Sequence, residues 1–253
     1  MRSEYRDVNL LDLLSHSAGF VRTADVALHT ATPREQRAEV VAWALMQPPA
    51  VPRGQPLYSN LGFTIAGAIA DRVADRPYEE LLVEKVTRPL GLTTFGFGQM
   101  GAEGMEDQPL QHTPNHSPLI ATPDARLQLI QNSAGDIHMS IRDWARYCQW
   151  MLACEAGRPT ILRGETEEMI TTLRIVIANN EGNALGWGVI TRDWAGGKVL
   201  THTGSNGFNY SEVTLAPLRR FGIIVMTNQG SGTVSVPTDN IVGRLIMFHL
   251  YGH

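Results

Sequence analysis

Residues 198–227 read KVLTHTGSNGFNYSEVTLAPLRRFGIIVMT, and this stretch decides the fold class. Lys198 to His202, Tyr210 to Ala216 and Arg220 to Thr227 have the length and the β-branched content of strands. Pro217 to Arg219 leaves room only for a tight turn, so the last two segments form an antiparallel hairpin. Leu185 to Thr191 reads as an earlier strand, and Val236 to Tyr251 as a closing helix with Ile241, Leu245, Ile246 and Phe248 on its apolar side.

Upstream the pattern is helical. Leu10 to Leu14 starts a short apolar helix that stops by Gly19. Pro33 takes the first position of a helix through Val40, Trp43, Ala44 and Leu45, ended by Pro48-Pro49. Leu61 to Val73 is an apolar helix whose Gly62, Ala66 and Gly67 permit close packing on a neighbour. Pro77 starts another, stopped at Gly91. Phe95 to Pro123 reads as a long irregular stretch, a pattern more often functional than idle. Ser140 reads as the N-cap of a helix carrying Trp144, Tyr147, Trp150 and Met151, with Asp143 making a capping-box-like start. Helices first, then an antiparallel sheet with a terminal helix, predict an α+β fold. The helical lobe is expected over residues 1–175 and the sheet with its helix over 176–253.

A chain of 253 residues buries a core without disulfides. With 43% hydrophobic and 18% charged residues it has the composition of a soluble globular protein. A net charge of −4 gives no electrostatic reason for a nucleic-acid partner. Cys148 and Cys154 fall on different faces of one predicted helix, so two partly buried thiols are expected rather than a disulfide. No signal peptide and no membrane span are read. With Met1 as the natural start the protein is expected in the cytoplasm; with a start further upstream, a periplasmic or secreted protein remains open.

Two motif matches lack the context their chemistry needs. Gly96-Phe97-Gly98-Gln99-Met100-Gly101 fits G-x-G-x-x-G, but a dinucleotide site needs a strand before it and a helix after it. A helix end and a polar loop stand there instead, and no cofactor is expected. His112 and His116 lie in a proline-broken loop with no third ligand at suitable spacing, so no metal is expected either.

Two tripeptides matter more. Tyr58-Ser59-Asn60 runs straight into Leu61-Gly62-Phe63, and by itself would be read as a helix cap. His202-Thr203-Gly204 ends a strand, and by itself would be a strand followed by a glycine-rich turn. A tyrosine at a helix start can be held partly as phenolate where cations and the helix N-terminus lie close.

In order along the chain, these segments resemble the serine β-lactamase and penicillin-binding-protein superfamily, in its class C-like esterase and peptidase branch. Leu11 to Phe20 resembles that branch's LLSHTSGL segment, and Tyr58-Ser59-Asn60 its Tyr-x-Asn motif. Pro89-Leu90-Gly91-Leu92, Ala134 to Ala145, Gly186-Trp187-Gly188 and His202-Thr203-Gly204 are similar to later segments in the same order. The resemblance implies a transpeptidase-like fold and acyl-enzyme chemistry on a small ester, amide, peptide or β-lactam, without a cofactor. It makes Tyr58 the general base, and has Asn60 hydrogen-bond the substrate. His202 and Thr203 would bind the acyl substrate, Gly204 would let it lie close to the backbone, and the Ser205 N–H would be one oxyanion-hole donor.

Two departures stand out. His202 replaces the usual lysine, which shifts the expected substrate from β-lactams towards esters, amides or small peptides. The nucleophilic Ser-x-x-Lys is absent: the only lysines are Lys85 and Lys198, preceded three places earlier by Leu82 and Ala195. In the family that motif lies further upstream than the fifty-seven residues before Tyr58. The segment that bears it also carries the first strands and the central helix, so an exposed sheet edge and a gap in the core are expected. Ser15, Ser17, Ser59, Ser133 and Ser205 lie near the motifs without a lysine placed to activate them. The chain is thus expected to be the C-terminal part of a hydrolase, inactive alone or completed by another segment. The alternative is a non-catalytic ligand-binding or interaction module of the same fold. A dimer or a complementing chain at the sheet edge is the expected partner.

Overall fold

The computed structural model describes residues 1–101, 104, 106–113, 115–120, 132–158, 161–230 and 234–252. Residues 102, 103, 105, 114 and 121–123 of the expected irregular stretch lie outside them.

The first core forms where α1 (Leu10–Leu14), α2 (Pro33–Ala44) and α3 (Asn60–Ala74) meet. Each helix has a start written into the sequence. The Asn9 side chain accepts the Leu11 and Asp12 N–H groups, and Asp12 returns a bond to the Asn9 N–H. Thr32 and Glu35 make the same reciprocal box ahead of Pro33 on α2. The Ser59 hydroxyl accepts the Gly62 N–H and caps α3. Leu13, Phe20, Val40, Ala44, Leu61 and Ile65 are buried together, and Tyr5 stacks on Phe20 at 4.2 Å.

Inside this helical layer lies a charge. Arg37, 0% exposed, donates two bonds to Asp71 of α3 (2.7 and 2.8 Å) and two to Glu79 (2.6 and 2.9 Å). Glu79 belongs to α4 (Tyr78–Leu82), which continues through a wider turn over Val83–Thr87. The pair of bidentate contacts ties α2, α3 and α4 together and replaces the water the guanidinium has lost.

The second half builds one antiparallel sheet. Its strands are β5 (Ile175–Ala178), β6 (Glu181–Asn183), β7 (Gly188–Arg192), β8 (Gly197–Ser205), β9 (Tyr210–Ala216) and β10 (Phe221–Thr227), lying side by side in chain order. Three two-residue strands, β1 (Gly96–Phe97), β2 (Gln111–His112) and β3 (Pro118–Leu119), lie in the long loop, and β4 (Ile137–His138) pairs with β1. The short α5 (Asn132–Gly135) packs on α3. On one sheet face, Cys148 and Met151 of α6 (Ile141–Glu155) are buried with Trp187, Leu200, Val213 and Leu215, flanked by Ile170 of α7 (Gly164–Thr171). On the other, Val242 of α8 (Ser235–Tyr251) packs on Ile223 and Val225.

The α+β order is as expected, with four local differences. The hairpin β5–β6 was not foreseen, because β6 is Glu-Gly-Asn and β5 leaves Val176 and Ile177 exposed. Asp143 does not close a box on Ser140: its carboxylate accepts the Thr94 N–H and hydroxyl instead, at 2.6 and 2.7 Å. The α8 stripe is split. Val242 and Ile246 turn to the sheet, while Ile241, Leu245 and Phe248 are exposed. Cys148 and Cys154 share no disulfide, and both are buried rather than partly buried. Among the described residues no helix is long and apolar enough to cross a membrane. β10 is an end strand, and no strand among the described residues pairs with its outer edge.

Replacing Arg37 with Met leaves Asp71 and Glu79 facing each other without their cation. A loss of about 3–5 kcal/mol is expected in urea unfolding, and a loss under 1 kcal/mol would show that the network contributes little. Gly62→Ala gives a second test. Helix propensity alone would stabilise by about 1 kcal/mol. A Cβ there, however, would meet the Leu13 carbonyl oxygen at 2.9 Å where α3 crosses α1. The melting temperature should therefore fall, and a rise would mean that the crossing is not tight.

Candidate active site

The start of α3 and the free end of β8 face each other, and this brings the two tripeptides together. Tyr58 is the residue before the Ser59 cap, and its side of the cleft is built by the turn after α1. There His16 has a φ of 61°, in the left-handed region that costs a histidine energy. The His16 carbonyl accepts the Leu57 N–H at 2.9 Å. Its Nδ1 accepts the Ser59 N–H at 3.0 Å, so the ring proton sits on Nε2. The ring packs against Tyr58 at 4.2 Å and against Phe63 at 5.2 Å.

On the opposite wall, β7 pairs with β8 only as far as Gly188 with Thr201. From His202 to Ser205 the strand pairs with β9, and among the described residues no strand pairs with its other backbone edge. Alternation along the strand puts His202 on the face that carries Leu200, towards the helices. Thr203 follows at the open edge, and a Cβ added at Gly204 would meet nothing within 4 Å. Asn60 lines the same cleft from the first turn of α3. Ser205 ends the strand exposed; its hydroxyl donates to the Gly230 carbonyl and accepts the Gly207 N–H, both at 3.0 Å.

The cleft has two connected parts. A cavity of about 430 Å³ lies between His16, Tyr58, His202 and Asn183, with Trp187 and Thr201 on its wall. A larger one of about 1230 Å³ runs from Tyr58 and His202 past Phe63, Tyr78 and the α6 ladder Trp144, Tyr147 and Trp150. Trp144 and Tyr147 stack at 5.2 Å, and the indole N–H groups of Trp144 and Trp150 are buried without a partner among the described residues. Asp136 is the one charged side chain on the wall of the larger part among the described residues, and the smaller part has none.

This lining sets the electrostatics. Burial pushes the Tyr58 phenol up from its ordinary value, and no lysine or arginine among the described residues lines the cleft beside it. Among the described residues the condition for a phenolate is therefore not met. Lys85 pairs with Glu84 and Lys198 with Glu155, away from the cleft. Burial lowers the His202 pKa. His16 is lowered to about 4, by burial first and then by the proximity of His202. At neutral pH the His16 and His202 imidazoles and the Tyr58 phenol are thus neutral.

The serines near the motifs are occupied as structural groups. Ser59 Oγ donates to the Val21 carbonyl at 2.7 Å, Ser133 Oγ to the Phe63 carbonyl at 3.1 Å, and Ser15 Oγ to the Leu11 carbonyl at 2.6 Å, with Ser17 Oγ beside it. Gly96–Gly101 has a two-residue strand within it and no helix after it. His112 binds the Asn228 carbonyl, and among the described residues no group of three or more His, Cys, Asp or Glu could hold a metal.

Sequence reasoning placed His16 in a recognisable segment and gave it no role. Its signal is visible only in three dimensions. Trp144, Tyr147 and Trp150 were placed on one helix without a role, and all three line the cleft. Gln111, 1% exposed, accepts from Asn206 at 3.0 Å and Asn209 at 2.8 Å, fastening the long loop to the end of β8.

Comparisons with known proteins bear on the family and the fold. The unguisins hydrolase ungD' of Aspergillus campestris (strain IBT 28561) is 24% identical over 259 aligned residues, 96% of this chain and 46% of that protein. The D-alanyl-D-alanine-carboxypeptidase/endopeptidase AmpH of Escherichia coli (strain K12) is 30% identical over 95 residues, 35% of this chain and 24% of that protein. A β-lactamase/D-alanine carboxypeptidase structure from Pseudomonas syringae superposes with a TM-score of 0.68 at 15% identity, over 90% of this chain and 70% of that one. The chain thus spans 46% and 24% of these two curated relatives. The Beta-lactamase family model matches residues 2–247, nearly the whole chain, and the protein belongs to that family of hydrolase-like folds.

Proposed function

We propose that this chain is the larger, C-terminal part of a β-lactamase-like serine hydrolase that acts through an acyl-enzyme on a neutral ester, amide or small peptide. One observation carries the reading: Tyr58 and His202, far apart in sequence, line one cleft with Asn60, Thr203, Gly204 and Ser205 along it. In this role Tyr58 takes the nucleophile's proton and returns it to the leaving group. Asn60, His202 and Thr203 hold the substrate, and the Ser205 N–H supports the oxyanion.

The nucleophile comes from a second segment. The sequence contains no Ser-x-x-Lys, and the serines near the motifs are bonded elsewhere. The larger cavity is lined mostly by apolar surface, and the indole N–H groups of Trp144 and Trp150 find no partner among the described residues, as expected of a groove that takes a further packed element. The unpaired edge of β10 and the exposed Ile241, Leu245 and Phe248 supply a further surface for such a segment. A cation from it would also lower the Tyr58 pKa, which burial alone raises. The neutral imidazole of His202 in place of a lysine favours uncharged acyl groups over the carboxylate of a β-lactam. A ligand-binding module without chemistry is the second reading, favoured by the cleft being folded while the serines near the motifs are bonded as structural groups.

The test uses a chromogenic ester and nitrocefin. The chain alone should turn over neither. Joined upstream to the Ser-x-x-Lys segment of a family relative, it should hydrolyse the ester, and Tyr58→Phe should cut kcat by about 10²–10⁴-fold. Turnover by the chain alone, lost in Tyr58→Phe, would place a nucleophile within these residues and remove the need for a segment. A folded chimera that binds the ester without hydrolysing it would leave the binding module as the function.

A further inference from the structure

We infer that His16 is the positioning residue of Tyr58: one side chain and its own carbonyl clamp the residues on both sides of the tyrosine while the imidazole face sets the phenol ring. This rests on the reading that Tyr58 is the working group of the cleft. Three contacts converge. The His16 carbonyl takes the N–H of residue 57 at 2.9 Å, its Nδ1 takes the N–H of residue 59 at 3.0 Å, and its ring lies 4.2 Å from that of residue 58. Phe63 closes the other contact at 5.2 Å, so the imidazole is held between a ring from the start of α3 and one from its first turns.

The arrangement is costly, and that is informative. A polar ring 5% exposed has lost its water, and a histidine at φ 61° sits in a region that L residues rarely occupy. Such strain persists only where surrounding contacts hold it, and it gathers at functional sites. The Ser59 hydroxyl already caps α3 by accepting the Gly62 N–H, so the bond to His16 is not needed to start the helix. What it fixes is the direction in which Tyr58 leaves the backbone. Because Nδ1 is an acceptor, the Nε2–H is left as a neutral donor on the wall of the smaller cavity, with His202 opposite.

Protonation of Nδ1 would turn the acceptor into a donor facing the Ser59 N–H. The groups acting on the ring are His202 from β8 and the Ser59 N–H, with Tyr58 and Phe63 as neutral neighbours. Burial and the nearby His202 hold the folded-state pKa down at about 4, below the ordinary value of 6.5. The unfolded chain therefore binds the proton first, and the clamp's contribution declines as pH falls from 6.5 towards 4.

The experiment is NMR on the intact chain, with two variants. In the wild type the His16 ring nitrogens should show an unprotonated Nδ1 and a protonated Nε2 from pH 8 down to about pH 5. His16→Asn keeps a side-chain acceptor and tolerates the left-handed backbone, but loses the ring. It should preserve the urea midpoint and the Ser59 amide protection, while the Tyr58 ring resonances shift and average. His16→Ala should also lower Ser59 amide protection by about ten-fold or more. A Tyr58 spectrum in His16→Asn that coincides with wild type would overturn the proposal, as would a protonated Nδ1 at pH 7. If neither variant folds, the wild-type tautomer alone decides. Because none of these readouts depends on turnover, an inactive chimera would sink the hydrolase reading and leave this result standing.

Discussion

The fastening of the α3 N-terminus to the turn after α1 is the constraint from which the site follows. Ser59 donates its N–H to His16 and its hydroxyl to the Val21 carbonyl, and accepts the Gly62 N–H. Gly62 lies against the Leu13 carbonyl, so the helix cannot be turned or lifted without opening that crossing. The capping serine is 4% exposed, which means that its three bonds exchange among protein groups rather than with water. Tyr58 is one residue away from this knot. Its position is determined by backbone that has little freedom, even though its own side chain is 43% exposed.

The far end of α3 is held by a different kind of force. Asp71 accepts both bonds from Arg37 and also the Tyr78 N–H at 2.6 Å, so one buried carboxylate joins α2, α3 and the start of α4. Hydrogen bonds of this type specify direction and partner more than they add stability, because the desolvation cost offsets much of the attraction. The apolar core of Leu13, Val40, Leu61 and Ile65 supplies the general driving force. The charge network selects which way the helices cross. With α3 fixed at both ends, the cleft keeps its shape on the helical side. On the sheet side the fully buried Leu200 and Leu215 anchor β8 and β9 beneath α6.

How much of this was legible depends on how local the physics is. The strands read from 198 to 227 announced themselves through β-branched content and a proline turn, and Pro33 announced α2, because those signals act within a few residues. The hairpin Ile175–Asn183 did not. Its turn is Asn179-Asn180, both with positive φ, but its strands lack apolar alternation and exist by pairing with β7. The same holds for α8, where an apolar stripe was readable but not which half of it the sheet would cover. In the site, Tyr58 and His202 were found through motif order. His16 was not given a role, because its importance lies in a bond to residue 59 and a ring contact that no spacing rule encodes.

Among the described residues no lysine or arginine lines the cleft, and this distinguishes its chemistry. A tyrosine acts as a base only if its phenolate is stabilised, and burial works against that here. Two imidazoles so close together cannot both be protonated at low cost, and each is lowered by its burial. The cleft can therefore donate from a neutral Nε2–H and accept at neutral groups, but it cannot attract an anion by charge alone. On the proposed reading, whatever completes the site must bring both the nucleophile and a cation near Tyr58. The nucleophile alone would leave its proton without a base of suitable strength. A cation alone would lower the phenol pKa with nothing to activate. On that reading the two requirements fall on one completing element because both act within a few ångströms of one oxygen, and the trough along the Trp144–Trp150 ladder belongs to the same cleft as Tyr58.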